Sequence, residues 1–344
     1  MRLLPADLPA LDSAVGRELF GEALLAGTMQ GYFRLAQQFH TQSDPAFCGL
    51  GSLVCALNAL QIDPRRKWKG VWRWFSEELL DCCKSLDEIR QFGLTLDEVA
   101  CLAACSAASV SVHRPPLADI STFREHLRAA TTTDEGPVLI VNYSRRAVGQ
   151  SGDGHFSPIA ALHTPTDRVL VLDTARFKYP PHWISAERLW QAMHPIDPVT
   201  GKSRGWVALQ RRDHGLSLAF TLRCTGDDLK VFARHLSSVI DELGPAAPVE
   251  ELASALLSIA ANLDVRVPTS TAHAEAIAAA RSALREVPVF AQVQNVVGAD
   301  RAEAVTLLLL AIRHDELGVV DERLAAEIAA LRDQVGALLT ITSR

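Results

Sequence analysis

Cys48, His155 and Asp173 stand in the order of a thiol nucleophile, its base and the carboxylate that orients the base, and Gln42 lies six residues ahead of the thiol. The thiolate is the reactive form of a cysteine, and a helix N-terminus favours it through its partial positive charge. Cys48 follows QSDPAF and opens the run CGLGSLVCALNAL, whose apolar residues recur at helical spacing, so it is expected where a helix begins. Gly49 and Gly51 keep that turn uncluttered and would let a substrate backbone approach the sulfur. Cys55, two turns further on, is expected to face the core. The Gln42 amide is suited to donate a hydrogen bond to an oxyanion, with the Cys48 backbone N–H as second donor.

A thiol needs a base, and the base needs an orienting group. His155 follows SGDG and starts the strand HFSPIAALH, while Asp173 closes the run VLVLD at what should be a sheet edge. If these runs form a hairpin through a turn at Thr164–Asp167, His155 and Asp173 become neighbours at its open end. Asp173 would then hold the useful tautomer of the imidazole. His163, at the turn end of the same strand, should lie away from Asp173. On the residues alone a buried inert Cys48, a surface His155 and a turn-capping Asp173 all stay open.

The elements that must position these groups fall into two regions. Up to residue 215 the pattern is mixed. Helices are expected at CGLGSLVCALNAL, WKGVWRWFSEELLDCC and SLDEIRQFGLTLDEVACLAACS, and after Pro137 strands at PVLIVNYSR, HFSPIAALH, RVLVLDTA and GWVALQRR. Helices followed by a sheet indicate an α+β fold. Residues 216–344 are rich in Ala and Leu with helical spacing in ELASALLSIAANL, HAEAIAAARSALREV and DERLAAEIAALRDQVGALL, broken at Gly244-Pro245, Pro268 and Pro288. We therefore divide the chain into 1–215, the candidate catalytic domain, and 216–344, a helical region of unknown role.

Charge supports the same division. Residues 1–215 carry 23 Lys/Arg against 23 Asp/Glu, and residues 216–344 carry 11 against 17, so the net −6 sits in the second part. An acidic chain is not expected to bind nucleic acid. No run of about twenty apolar residues suggests a membrane span, and Asp7 and Asp12 interrupt any secretory signal, so the cytoplasm is expected. Six of the seven cysteines fall between Cys48 and Cys105, a pattern that fits reduced thiols better than a disulfide framework.

The strings TQSDPAFCGLGSLVCALNAL, IDPRRKWKGVWRWF, GDGHFSPI and LDTARFKYPPHW resemble the catalytic domain of phytochelatin synthase, over about residues 30–215. The order Gln, Cys, His, Asp more broadly resembles papain-like peptidases. The resemblance implies a papain-like domain, in which a helix carrying the nucleophile packs on an antiparallel sheet, followed here by an all-helical C-terminal region. It implies Cys48 as nucleophile, His155 as base, Asp173 as its partner and Gln42 in the oxyanion hole. It further implies that Asp197 and Arg204, in IDPVTGKSRGW, read the γ-glutamyl end of glutathione, with Gly49 and Gly154 lining the substrate site. The implied reaction is transfer of γ-glutamylcysteine from glutathione, with loss of glycine, to a second glutathione. No covalent cofactor is implied. Cadmium or zinc would act as activator or enter as a metal–glutathione thiolate, and Cys82, Cys83, Cys101 and Cys105 match family positions where a metal could bind. Beyond residue 215 only Cys224 remains, so metal sensing by the C-terminal part is not expected. Glutathione and its metal thiolates are the expected partners, with no nucleic acid or membrane, and a homodimer is allowed. Two other readings use the same residues: a hydrolase that trims glycine from glutathione and its conjugates, and a thiol protein that buffers metal.

Overall fold

From Gly49 to Ala59 every residue is buried, and a helix that is apolar on all sides has to sit inside the molecule. The structure, a computed structural model, builds the first part of the chain around that helix. It describes residues 2–64, 67–81, 84–211, 220–222, 227–244, 246–261, 263–265, 271–313 and 321–342. In chain order the elements are α1 (Ala14–Leu25), α2 (Gln30–Ala36), α3 (Cys48–Ala59), α4 (Leu86–Phe92), α5 (Leu96–Cys105), β1 (Ala108–His113), α6 (Ile120–Thr132), β2 (Val138–Ser144), β3 (Gly154–His163), β4 (Arg168–Val171), β5 (His182–Ser185), α7 (Ala186–Gln191) and β6 (Gly205–Arg211).

The six strands form one antiparallel sheet in the order β1-β6-β2-β3-β4-β5. β2 is central and all seven of its residues are buried, which accounts for its unbroken apolar run. Leu139, Val141 and Tyr143 share a core with Phe123, Leu127 and Ala130 of α6, and α3 packs against β2, β3 and α5. Trp206 is fully buried in the same core and donates its indole N–H to His126 Nδ1 at 2.9 Å. The α+β reading therefore holds, with additions: β1 precedes Pro137, and the short β5 was not apparent in the sequence.

WKGVWRWFSEELLDCC is not the expected helix. Gly70 takes a positive φ of 58°, Trp68 donates its backbone N–H to Trp72 O at 2.8 Å, and among its described residues only Glu77–Leu79 coil into a 3₁₀ turn. Asn58 at the end of α3 anchors the segment, exchanging hydrogen bonds of 3.0 and 3.1 Å with the Phe75 backbone. With its backbone held at one end, Trp72 is left 71% exposed, a poor fit to any buried helical stripe.

Contacts divide the chain into two compact units, Met1–Leu80 with Leu86–Arg211, and Asp81–Ser85 with Arg212–Arg344. The second unit is mostly helical: α8 (Asp227–Leu243), α9 (Val249–Ala260), α10 (Thr271–Glu286), α11 (Pro288–Val297), α12 (Ala299–Ile312) and α13 (Glu322–Thr342). It is not wholly so, because β7 (Phe220–Leu222) pairs antiparallel with β8 (Leu263–Val265). Among the described residues no helix is long and apolar enough to cross a membrane.

Close backbone approach fixes one glycine at the edge of the sheet. A Cβ on Gly205 would stand 2.0 Å from the His113 carbonyl oxygen, so any side chain must push β1 away from β6. Gly205→Ala should lower the urea midpoint by the equivalent of about 2 kcal/mol or more. Gly21→Ala, in mid α1 with nothing within 4 Å of the new methyl, should instead raise it by about 0.5–1 kcal/mol. All six tryptophans lie at or before Trp206, so tryptophan fluorescence reads the first unit alone.

Candidate active site

The β3–β4 hairpin forms as expected, turning through Thr164–Thr166 with Asp167 in the left-handed region. Its open end brings His155 Nε2 to 2.9 Å from Asp173 Oδ1. That bond leaves Nδ1 as the ring nitrogen for Cys48, whose thiol His155 makes easier to ionise. Cys48 is the first residue of α3 and keeps partial exposure. His163 lies elsewhere, bonded to Glu22 at 2.6 Å and Thr166 at 2.7 Å.

Asp173 does not emerge at a sheet edge. It is 0% exposed, and Arg145, equally buried, places Nη2 2.9 Å from Oδ1 and 2.8 Å from Oδ2. The Ala175 N–H donates to Oδ1 at 3.0 Å. Arg145 is completed by Gln150 Oε1 at 2.5 Å and by the face of Tyr179, 5.1 Å from its ring centre. No local pattern singles out Arg145: it is one of two adjacent arginines, and Arg146 beside it is exposed.

These charges set the protonation states. Burial pushes the Cys48 thiol up, but the hydrogen bond and charge of His155, the Phe156 backbone and Arg145 together hold it below its ordinary value. Burial pulls His155 down, and Asp173 together with Cys48 more than restores it, so the imidazolium persists above the ordinary histidine range. Burial would raise Asp173, yet His155 and Arg145 hold it well below the usual carboxylate range. A depressed thiol beside an elevated imidazole is the condition for a thiolate–imidazolium pair, the reactive form of a cysteine nucleophile.

Gln42 is buried at the same place but is already occupied. Its Nε2 donates to Asp44 O at 2.8 Å and Pro45 O at 3.1 Å, and Oε1 accepts from Thr174 Oγ1 at 3.1 Å. The Gln42 N–H also donates to Thr174 O at 3.0 Å. Glu77 braces the next residue, accepting from the Ser43 N–H at 3.1 Å and from its hydroxyl. On their Cβ side the helix glycines are packed against protein. A Cβ on Gly49 would meet Leu94 at 3.0 Å, and one on Gly51 would meet Gln42 and Glu77 at 3.2 Å. Cys55 is buried, donating to Gln38 O at 3.3 Å and lying 3.5 Å from His40 Nδ1.

Arg204 is buried beside His155. Nη1 donates to Pro195 O at 2.9 Å and Ile196 O at 3.1 Å, Nη2 is 3.3 Å from Asp153 Oδ2, and Nε has no partner. A Cβ on Gly154 would lie 3.4 Å from Nη2, so the bare backbone of Gly154 rests against the guanidinium. Asp197 caps its own turn, with Oδ1 accepting from the Val199 N–H at 3.0 Å. The acid directly on Arg204 is thus Asp153, held by Ser144 Oγ at 2.7 Å, which sequence reasoning passed over as part of a glycine-rich turn. Cys101 is buried and Cys105 part-buried on α5, while Cys82 and Cys83 lie outside the described residues. Among the described residues no three His, Cys, Asp or Glu are grouped to hold a metal ion.

Alkylation of Cys48 by iodoacetamide should therefore proceed well below the pH at which an ordinary thiol ionises. In His155→Ala the compensation is gone while burial stays, so the titration should move to higher pH. In Asp173→Asn the imidazolium should lose its proton at lower pH, narrowing the reactive window from above. An alkylation profile unchanged by His155→Ala would contradict the pairing.

The sequence profile of the phytochelatin synthase family matches residues 1–206. Glutathione gamma-glutamylcysteinyltransferase 1 of Lotus japonicus is 44% identical over 264 residues, 76% of this chain and 52% of that protein. The protein of that name from Triticum aestivum is 47% identical over 236 residues, covering 68% and 47%. Glutathione gamma-glutamylcysteinyltransferase of Schizosaccharomyces pombe is 38% identical over 258 residues, covering 75% and 61%. The match spans about half the length of the two plant relatives. With its family profile covering more than half the chain and the expected α+β architecture beneath it, this chain belongs to the phytochelatin synthase family.

Proposed function

We propose that the chain is a glutathione γ-glutamylcysteinyltransferase working through a thioester on Cys48. The observation that carries the reading is the chain of contacts from Cys48 through His155 to Asp173, closed by the 2.9 Å bond between Nε2 and Oδ1. In the first half-reaction Sγ bonds to the carbonyl carbon of the Cys–Gly amide. The C–N bond then breaks, and the proton held on His155 goes to the leaving glycine. In the second, the α-amine of another glutathione attacks the thioester, its proton passes to His155, and Sγ leaves. The developing oxyanion is met by the N–H groups that open α3, which have no partner within the helix. Gln42 can join them only by exchanging one of its loop hydrogen bonds; in the resting state it braces the loop.

The γ-glutamyl end of the donor is assigned to Arg204, whose free buried Nε suits a carboxylate, and Asp153 stands beside it to take the α-amino group along with Asp197. Metal enters this reading as substrate, in a glutathione thiolate complex, and no step needs a resident ion. A reducing cytoplasm is the setting the chemistry requires, because nucleophile and substrate both act as thiols.

Incubating the protein with glutathione, with and without cadmium, and weighing the products tests the reading. Oligomers of γ-glutamylcysteine are expected. γ-Glutamylcysteine alone would make the protein a hydrolase, and no turnover would remove the enzymatic reading. Cys48→Ser should abolish glycine release and the covalent adduct, while Cys55→Ser keeps both; His155→Ala should lose about a thousandfold or more in rate. Arg204→Lys should raise KM for glutathione far more than for a desamino, descarboxy analogue.

A further inference from the structure

Resting on that reading, we infer that Asp97 and Arg114, outside the nucleophilic set, are positioning residues that determine the preference for a γ-glutamyl donor. They do so by seating the loop that carries Asp197 and Arg204. That loop, residues 195–204, is closed on itself. The Asp197 N–H donates to Lys202 O at 2.8 Å, the Gly201 N–H donates to Asp197 O at 2.8 Å, and Ile196 pairs antiparallel with Ser203. Arg204 reaches back across the loop to the carbonyls of Pro195 and Ile196. Asp197 and the Arg204 guanidinium therefore move with the loop as one piece. Apolar burial does little to seat that piece, because Ile196 and Val199 are exposed. Polar bonds from the end of β1 and the start of α5 take over that task.

Arg114 follows directly on β1 and lies alongside the start of β6, where a Cβ on Gly205 would stand 3.1 Å from its Cα. From there Nη1 donates to Ser203 O, one residue before Arg204, and Nη2 donates to Asp97 Oδ1 at 2.8 Å. The other carboxylate oxygen of Asp97 is 3.4 Å from Lys202 Nζ. One carboxylate thus draws in the loop twice, directly at Lys202 and through Arg114 at Ser203. Ser203 Oγ adds a bond to Pro115 O. The Asp97 and Arg114 side chains are 12% and 14% exposed, so salt screens their attraction less than that of a surface pair. Asp97 stands in the first turn of α5, yet that helix start is already capped. Thr95 Oγ1 accepts from the Glu98 N–H at 3.2 Å, and Glu98 accepts from the Thr95 N–H at 2.8 Å. The Asp97 carboxylate faces the loop instead. The line of contacts runs on from Ser203 to Arg204, and from Arg204 to Asp153 and the backbone of Gly154 beside His155. A displaced loop is therefore felt at the γ-glutamyl end of the donor before it is felt at the sulfur.

The test compares KM for glycine release from glutathione with KM for butanoyl-cysteinyl-glycine, which keeps the scissile amide and lacks the α-amino and α-carboxyl groups. Asp97→Asn should raise KM for glutathione about five- to tenfold and KM for the analogue less than about twofold, with the alkylation profile of Cys48 unmoved. Arg114→Gln should act in the same direction, and Asp97→Glu, which keeps the charge, should recover part of the loss. In an Arg204→Lys background Asp97→Asn should add less than about twofold, because the group it positions is already gone. Equal rises for both substrates, or a shifted alkylation profile, would give Asp97 a merely structural part and overturn the inference. Full additivity with Arg204→Lys would overturn it too, and each of these results leaves the thioester reading standing. An Arg204→Lys enzyme that loses nothing preferentially on glutathione would instead remove the γ-glutamyl reading of Arg204, and this inference with it.

Discussion

A carboxylate with no exposure to water has to be neutralised where it stands, and the surroundings of Asp173 are arranged around that requirement. Removing the partner of a buried charge typically costs about 3–5 kcal/mol, because the remaining charge has no water to fall back on. Asp173 is met by a guanidinium, an imidazole and a backbone N–H. With the thiolate of Cys48 added, the four groups alternate in sign and sum to zero, which is what allows them to share a low-dielectric interior. Arg145 has opposite effects on the two reacting groups: it disfavours the imidazolium and favours the thiolate. Asp173 more than offsets the first effect. The pair of buried charges behind His155 therefore does more than orient a ring, since it sets which way the proton between sulfur and nitrogen rests.

The same carboxylate shapes the backbone. By accepting from Ala175 it starts the turn that presents Arg176, and the neighbouring Thr174 links to Gln42 through both its carbonyl and its hydroxyl. The segments leading into α3 and out of β4 are thus tied within a few residues of the sulfur. Glycines at 49 and 51 serve this joint, because Leu94, Val99, Gln42 and Glu77 fill the room that side chains there would need.

Most of the nucleophilic set could be read from the sequence because it follows local rules. A cysteine opening an apolar helix, and a histidine and an aspartate at the two ends of one hairpin, are fixed by periodicity and a turn. Arg145 follows no such rule. In NYSRR nothing local says which arginine is buried; that depends on Gln150, Tyr179 and Asp173, up to 34 residues away. Asp153 was hidden similarly, since its partner Arg204 arrives from the segment that leads into β6. The expected helix at 68–83 failed for a different reason. Trp and Leu at near-helical spacing were outweighed by one glycine with positive φ and by Asn58 holding the Phe75 backbone. β1, whose serines alternate with valines, did carry a period-two signal, but it follows directly on α5 and was absorbed into that helix.

In the proposed reaction the choice between transfer and hydrolysis does not fall to Cys48, His155 and Asp173, which would treat water and amine alike once a thioester exists. The decision turns on how long an amine is held within reach of the carbonyl carbon, and with what orientation. Good positioning alone is worth roughly 7–11 kcal/mol in favourable intramolecular cases, far more than any plausible difference in proton transfer to His155. Groups outside the buried charge set can supply that positioning without altering the protonation states at Cys48. Selection between products would then evolve around the site, while Arg145, Asp173 and His155 stay fixed by the need to bury balanced charge. A site divided this way can change its acceptor without rebuilding its nucleophile.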